Sequence, residues 1–218
     1  MLFVTGGKRA GAKPLYWSAP LKKHMYYANG GLLLSLGLMV LIVWYIAGRP
    51  FTELGLGWGR TPYDPVAVGI LFAFLALYAL DLYGEFGNTE RQRETRQRFR
   101  ELGFLPVNGQ QYLHFLFLCL CAGVGEEIVY RGFLITYLSD TLGTSEPWAV
   151  GTILLVPAFS FGLAHYYQGR DAVIKIVAMA LLFGFFFYRT ETLWPLILLH
   201  VAIDAVGGVL SWALERKP

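Results

Sequence analysis

Residues 111–138 read QYLHFLFLCLCAGVGEEIVYRGFLITYL, an apolar helical run interrupted by two adjacent glutamates, Glu126 and Glu127, and an arginine, Arg131. A hydrocarbon core about 30 Å thick calls for roughly 20 apolar residues of helix, and this run exceeds that length. An ionisable side chain at membrane depth costs several kcal/mol, so it is kept where it faces a bundle interior and a partner. The stretch therefore reads as a membrane helix of a polytopic protein, with its charges turned toward other helices.

The rest of the chain agrees with that reading. Of 218 residues, 56% are hydrophobic and 15% charged, and the mean hydropathy is +0.48, which argues against a soluble domain. The expected fold is all-α, a transmembrane helical bundle forming a single integral-membrane domain over residues 1–218. Six spans are expected, at about Ala28–Ala47, Pro65–Leu82, Gln111–Leu138, Trp148–His165, Ala172–Tyr188 and Leu193–Leu214. The third is long enough to tilt, to kink at Gly123 or Gly125, or to divide and raise the count to seven or eight. Cys119 and Cys121, two apart on one helix, point in different directions and read as free thiols. No internal repeat or low-complexity segment interrupts the pattern.

Basic residues mark the ends of these segments. The net charge of +3 is spread at span boundaries, a pattern for membrane orientation and not for nucleic-acid binding. Lys8, Arg9, Lys13, Lys22 and Lys23 precede the first apolar run, which reads as a signal anchor. Gly84–Gly109 carries Glu90, Arg91, Arg93, Glu94, Arg96, Arg98, Arg100 and Glu101. It could form an amphipathic surface helix, but the preferred reading is a solvated cytoplasmic loop. With Arg170–Lys175 and Arg216–Lys217 also inside, six spans place both termini in the cytoplasm. Arg49, Arg60 and Arg189 are exceptions on the opposite side.

Three constellations carry chemistry. Arg131 lies four residues beyond Glu127, the spacing that brings an acid and a base onto one helical face. Glu126, rotated away by about a hundred degrees, lacks that contact and is left to bind a proton, a water or a metal. Phe161-Gly-Leu-Ala-His165 closes the fourth span. His200-Val-Ala-Ile-Asp204 lies inside the last one, with carboxylate and imidazole again at i,i+4, where the acid can fix the tautomer. The bland alternatives are a helix-end ion-pair network, an interfacial histidine and a His–Asp pair joining two helices. Convergence of the three requires tilt or a bend at Pro157.

Taken in order, these motifs resemble the CAAX protease and bacteriocin-processing family of intramembrane endopeptidases, abbreviated CPBP, which includes the type II CAAX prenyl proteases. Its pattern is Glu-Glu-x-x-x-Arg, Phe-x-x-x-His and His-x-x-x-Asn/Asp, here Glu126–Arg131, Phe161–His165 and His200–Asp204. The resemblance covers roughly 111–214, the expected catalytic core. It implies that Glu126 activates the attacking water and His165 assists by proton transfer or by stabilising the oxyanion. His200 and Asp204 complete the water and oxyanion site, with Glu127, Arg131 and Phe161 in support. Many relatives have Asn where Asp204 stands, which adds a second acid here.

The resemblance implies hydrolysis of a peptide bond in a membrane-associated protein, a lipidated tail or a peptide precursor, without a cofactor. An alternative is a zinc protease using Glu126, His165 and His200, although no HExxH motif is present. From a different class come a proton-coupled transporter and a non-catalytic membrane partner. The partners expected are the substrate and the lipid bilayer, with no nucleic acid. The location is multi-pass in a membrane, the cell membrane for a prokaryote.

Overall fold

A computed structural model describes residues 17–57 and 64–216. Eight α-helices follow in order: α1 (Ala19–Ile46), α2 (Pro65–Phe86), α3 (Thr89–Leu102), α4 (Gly109–Glu126), α5 (Thr136–Leu142), α6 (Pro147–Ala164), α7 (Arg170–Thr190) and α8 (Trp194–Glu215). Among the described residues there is no strand. The starts are chemically marked. Ser18, Asp64, Asn88 and Asn108 each accept a hydrogen bond from a backbone N–H of the first turn, the usual role of short polar side chains at that position.

Six helical runs are long and apolar enough to cross a membrane: Ala19–Ile46, Pro65–Phe86, Gly109–Leu142, Pro147–Ala164, Arg170–Thr190 and Trp194–Glu215. The chain is an integral, multi-pass membrane protein. Large apolar side chains such as Leu38, Met39, Ile42, Phe72 and Leu80 are exposed on α1 and α2, as lipid-facing residues are. The first span begins at Ala19 and not near Ala28, so Lys22 and Lys23 belong to its first turns. Lys22 is tolerated there because its ammonium donates to the Leu105 carbonyl at 2.6 Å. Lys8, Arg9, Lys13, Arg60 and Lys217 lie outside the described residues.

The third run neither breaks nor divides. It passes from α4 into a π-helical stretch, Glu127–Ile135, and on into α5. Gly123 and Gly125 lie within the continuous helix and are points of close approach. A Cβ at Gly125 would stand 2.3 Å from the Leu33 carbonyl oxygen of α1, and one at Gly123 would stand 2.5 Å from Val201 Cγ2 of α8. Small residues let membrane helices meet backbone to backbone, so α4 is clasped between α1 and α8 one turn before the glutamates. The π-helical stretch then packs on α6 and α7, joining α1, α4 and α8 to α2, α6 and α7. Both cysteines are free and buried.

The connection after α2 is also ordered. The expected solvated loop is instead helix α3, because Asn88 caps its start and Gly103, in the left-handed conformation at φ 74°, ends it. Thr95 and Phe99 are buried, while Arg100 holds Glu215 at the end of α8 through two hydrogen bonds of 2.7 and 2.8 Å. Burying one narrow face is enough to order a helix that is otherwise charged. At the other end of the bundle, Arg49 pairs with Asp140 at 2.7 Å and Arg189 with Asp64 at 2.8 Å. Two of the basic residues that ran against the orientation pattern are thus matched by acids.

Candidate active site

The two glutamates follow the Gly123–Gly125 clasp and point to different neighbours. Glu127 is fully buried, and its Oε1 receives both Arg131 Nη1 at 3.0 Å and His200 Nδ1 at 2.7 Å. The pairing of Glu127 with Arg131 expected from their spacing is therefore present. Arg131 also lies over the Phe161 ring, 4.6 Å from its centroid, and over Phe183 at 5.4 Å. A guanidinium sandwiched by aromatic faces and a carboxylate is well matched in a dry interior.

His200 links this buried layer to Glu126. Its Nε2 is 3.5 Å from Glu126 Oε2 and 3.7 Å from Asp204 Oδ2, while Nδ1 is taken by Glu127. The acid in hydrogen-bond contact with His200 is therefore Glu127, not Asp204 as the i,i+4 spacing suggested. A carboxylate accepts, so Nδ1 donates; the neutral ring then presents a lone pair on Nε2, and the protonated ring a second N–H. The His200–Asp204 distance exceeds that of a direct hydrogen bond, and three carboxylates surround one imidazole.

His165 is the first residue past α6, with φ −98° and ψ 12°. Its Nδ1 is 2.8 Å from the Phe161 carbonyl oxygen. A carbonyl only accepts, so Nδ1 carries the hydrogen and the neutral ring turns a basic Nε2 outward. The Phe161 ring stands between the two imidazoles, with centroids 4.5 Å from His165 and 6.2 Å from His200. The α6 helix runs unbroken through Pro157, and the three motifs meet without a separate segment.

Glu126, His165 and Asp204 all line one cavity of about 470 Å³. Its walls come from α1 (Met25, Asn29, Leu32, Leu33, Leu36), α4 (Leu118, Cys119, Ala122) and the residues after α6. Glu127, Arg131, Phe161 and His200 instead surround a tight space of about 10 Å³ behind it, walled by Met179, Ala180 and Phe183. The motif residues thus divide into a layer that faces the cavity and a packed layer that holds it. Tyr130, Tyr167 and Gln168 also line the cavity. Sequence reasoning missed them because Tyr130 passes for an ordinary aromatic inside an apolar helix, and single polar residues in a short turn such as Tyr167 and Gln168 carry no spacing signal.

The arrangement can present a carboxylate and an imidazole to a water and a polar substrate group within apolar walls. Among the described residues no three His, Cys, Asp or Glu side chains are grouped to hold a metal ion. Each imidazole has its Nδ1 engaged and its Nε2 free of a direct hydrogen bond.

Residues 108–206 match a family model named Rce1-like and described as type II CAAX prenyl endopeptidase Rce1-like. No curated protein and no solved structure matches the chain.

Proposed function

We propose that this chain is an intramembrane endopeptidase in which Glu126 activates water, a reading supported by the match of residues 108–206 to the Rce1-like type II CAAX prenyl endopeptidase model. The observation that carries this reading is the shared cavity: Glu126, His165 and Asp204 line it together, and His200 Nε2 stands 3.5 Å from Glu126. Family membership supports peptidase activity on a membrane-associated protein or peptide, of CAAX type or in precursor processing. The glutamate mechanism is the finer step proposed here.

In that mechanism Glu126 takes a proton from a water in the cavity as the water's oxygen attacks the scissile carbonyl carbon. Negative charge moves to the carbonyl oxygen. His200 with its Nε2 protonated supplies an N–H toward that charge, while His165, neutral with a basic Nε2, assists by proton transfer, and apolar walls strengthen these effects. When the C–N bond breaks, the leaving nitrogen takes up the proton held by Glu126 or His165. Asp204 beside His200 favours the charged ring, which offsets the second acid by giving it a partner. Glu127, Arg131 and Phe161 position His200 and His165 and do not touch the substrate.

We further propose one integral-membrane unit with its catalytic part at 111–214 and both ends cytoplasmic. In support, Lys22 at the start of α1, the arginines of α3 and Glu215 at the end of α8 share one face of the bundle, joined by the Lys22–Leu105 and Arg100–Glu215 contacts. Basic excess marks the cytoplasmic side.

The test is cleavage of membrane-peptide substrates, including S-farnesylated CAAX peptides, by purified protein and its Glu126→Gln variant, each with and without a strong zinc chelator. Loss in the variant with indifference to chelator is expected. Loss on chelation transfers the chemistry to a metal. A wild type that cleaves nothing, while proton flux in liposomes responds to Glu126→Gln, replaces the protease by a transporter.

A further inference from the structure

Directly after His165 the chain makes a single 3₁₀ turn, Tyr166–Gln168, closed by Gln168 N–H to the His165 carbonyl at 2.9 Å. Two of its side chains line the catalytic cavity, Tyr167 and Gln168. Gln168 is only 6% exposed. Its Nε2 donates to the Tyr167 hydroxyl at 3.0 Å, and its Oε1 is buried with no hydrogen-bond partner.

An unpaired buried acceptor is costly, so a side chain kept only for the fold is expected to satisfy both ends of its amide. Turning the amide over does not help. Tyr167 then donates to Oε1, and the NH₂ is left unpaired in its place. In either orientation the pair keeps at least one unused donor and one unused acceptor: the phenol O–H and the second amide N–H with the amide C=O, or the two amide N–H groups with the phenol oxygen. An ordinary phenol is un-ionised across the physiological range, so Tyr167 offers a neutral hydroxyl.

One donor beside one acceptor is the complement of a single residue of extended peptide, whose N–H and C=O point to the same side. Elsewhere that complement is supplied by a strand edge. The described residues contain no strand, so in this bundle side chains must supply it. The cavity walls nearby are apolar, among them Leu102, Phe104 and Ala164, and leave few other polar groups for a peptide backbone.

We propose that Tyr167 and Gln168 form a main-chain clamp that holds one residue of an extended peptide substrate beside His165, with Gln168 pairing the peptide's N–H or C=O and Tyr167 the other. This rests on the endopeptidase reading. The clamp recognises backbone and not side chain, so it serves to align the scissile bond while leaving sequence preference to the apolar walls. Its rigid attachment, two and three residues from His165, ties substrate register to the position of the imidazole.

The test uses the full chain in bicelles with a fluorescent peptide ending in an S-farnesyl-cysteine CAAX tetrapeptide. A matched set has one backbone N–H at a time replaced by an ester oxygen, away from the scissile bond. Cleavage is followed with the wild type, and binding with Glu126→Gln alone and combined with Gln168→Leu or Tyr167→Phe. One ester is expected to weaken binding about tenfold in Glu126→Gln. The same ester should have no further effect once Gln168→Leu or Tyr167→Phe has already caused a similar loss. An ester penalty that persists unchanged in both double variants, or variants that bind as tightly as Glu126→Gln alone, overturns the clamp while observed cleavage leaves the protease standing. Clamp-dependent binding without any cleavage by the wild type overturns the protease and keeps the clamp. Neither binding nor cleavage overturns both.

Discussion

Glu127 Oε1 accepts from His200 Nδ1 at 2.7 Å, across two helices and 73 residues of sequence. This bond, more than the neighbouring Asp204, sets which nitrogen of His200 faces Glu126. Replacing Glu127 by Gln keeps the volume and can keep a hydrogen bond while removing the charge. Cleavage is expected to fall about 10–100-fold, the usual consequence of losing a residue that orients an active imidazole. A variant with unchanged kcat, measured on any substrate the wild type cleaves, shows that His200 needs no such orientation.

Arg131→Ala leaves Glu127 without its cation in a fully buried setting. Removing one partner of a buried ion pair costs about 3–5 kcal/mol, so lower expression and a clearly reduced melting temperature in detergent are expected. Arg131→Lys should recover part of it. A Lys ammonium matches the charge but not the stacking on Phe161 and Phe183. Melting curves equal to the wild type for Arg131→Ala would remove Arg131 from the scaffold.

Glu126→Gln and His165→Ala are expected to behave in the opposite way. Both residues face the cavity, so the fold and the melting temperature should be retained while the rate drops by about 10²–10⁴. Circular dichroism and thermal melting beside the cleavage assay separate the two classes of variant.

Gly125→Ala adds a Cβ 2.3 Å from the Leu33 carbonyl, a backbone atom that cannot rotate aside. Forcing α1 from α4 costs about 1–3 kcal/mol. Because Glu126 is the next residue and α1 walls the cavity, activity should fall together with stability. Gly31→Ala, with nothing within 4 Å of the added atom, is the control expected to leave both unchanged.

Asp64 caps α2 and holds Arg189 at 2.8 Å. Its hydrogen bond with Arg189 keeps its carboxyl below the usual range. A depressed folded value gives stability that is present above the unfolded value, about pH 4, and lost as pH falls through the folded one. The difference in melting temperature between wild type and Asp64→Asn should therefore be constant near neutrality and shrink in acid. A difference that grows on acidification contradicts the assignment.

The sequence disclosed the chemistry of the site better than its mechanics. Glu126, His165 and His200 stood out because charge inside an apolar helix has few explanations, and the cavity does gather Glu126 and His165 with Asp204. The spans were legible by length and hydropathy. Asp204 does stand beside His200, at ion-pair distance on one helical face, but i,i+4 spacing sees only one helix and gave no sign that Glu127 arrives from another with the shorter contact. The π-helical stretch was hidden because no residue type demands it. Gly123 and Gly125 looked like weak points because their missing side chains say nothing about the helices that fill the space. Helix α3 was open to the sequence only as a second reading, since its charge favoured a loop and Thr95 and Phe99 are too few to show a clear apolar face.

The clasp of α4 between α1 and α8 also has a consequence for biosynthesis. α1 and α4 leave the ribosome well before α8, yet α8 brings His200 and Asp204 and packs over Gly123. Until α8 inserts, Glu127 has no imidazole partner. A nascent chain that stops short of α8 therefore holds an incomplete set of the proposed catalytic groups, and the proposed proteolysis waits on that helix.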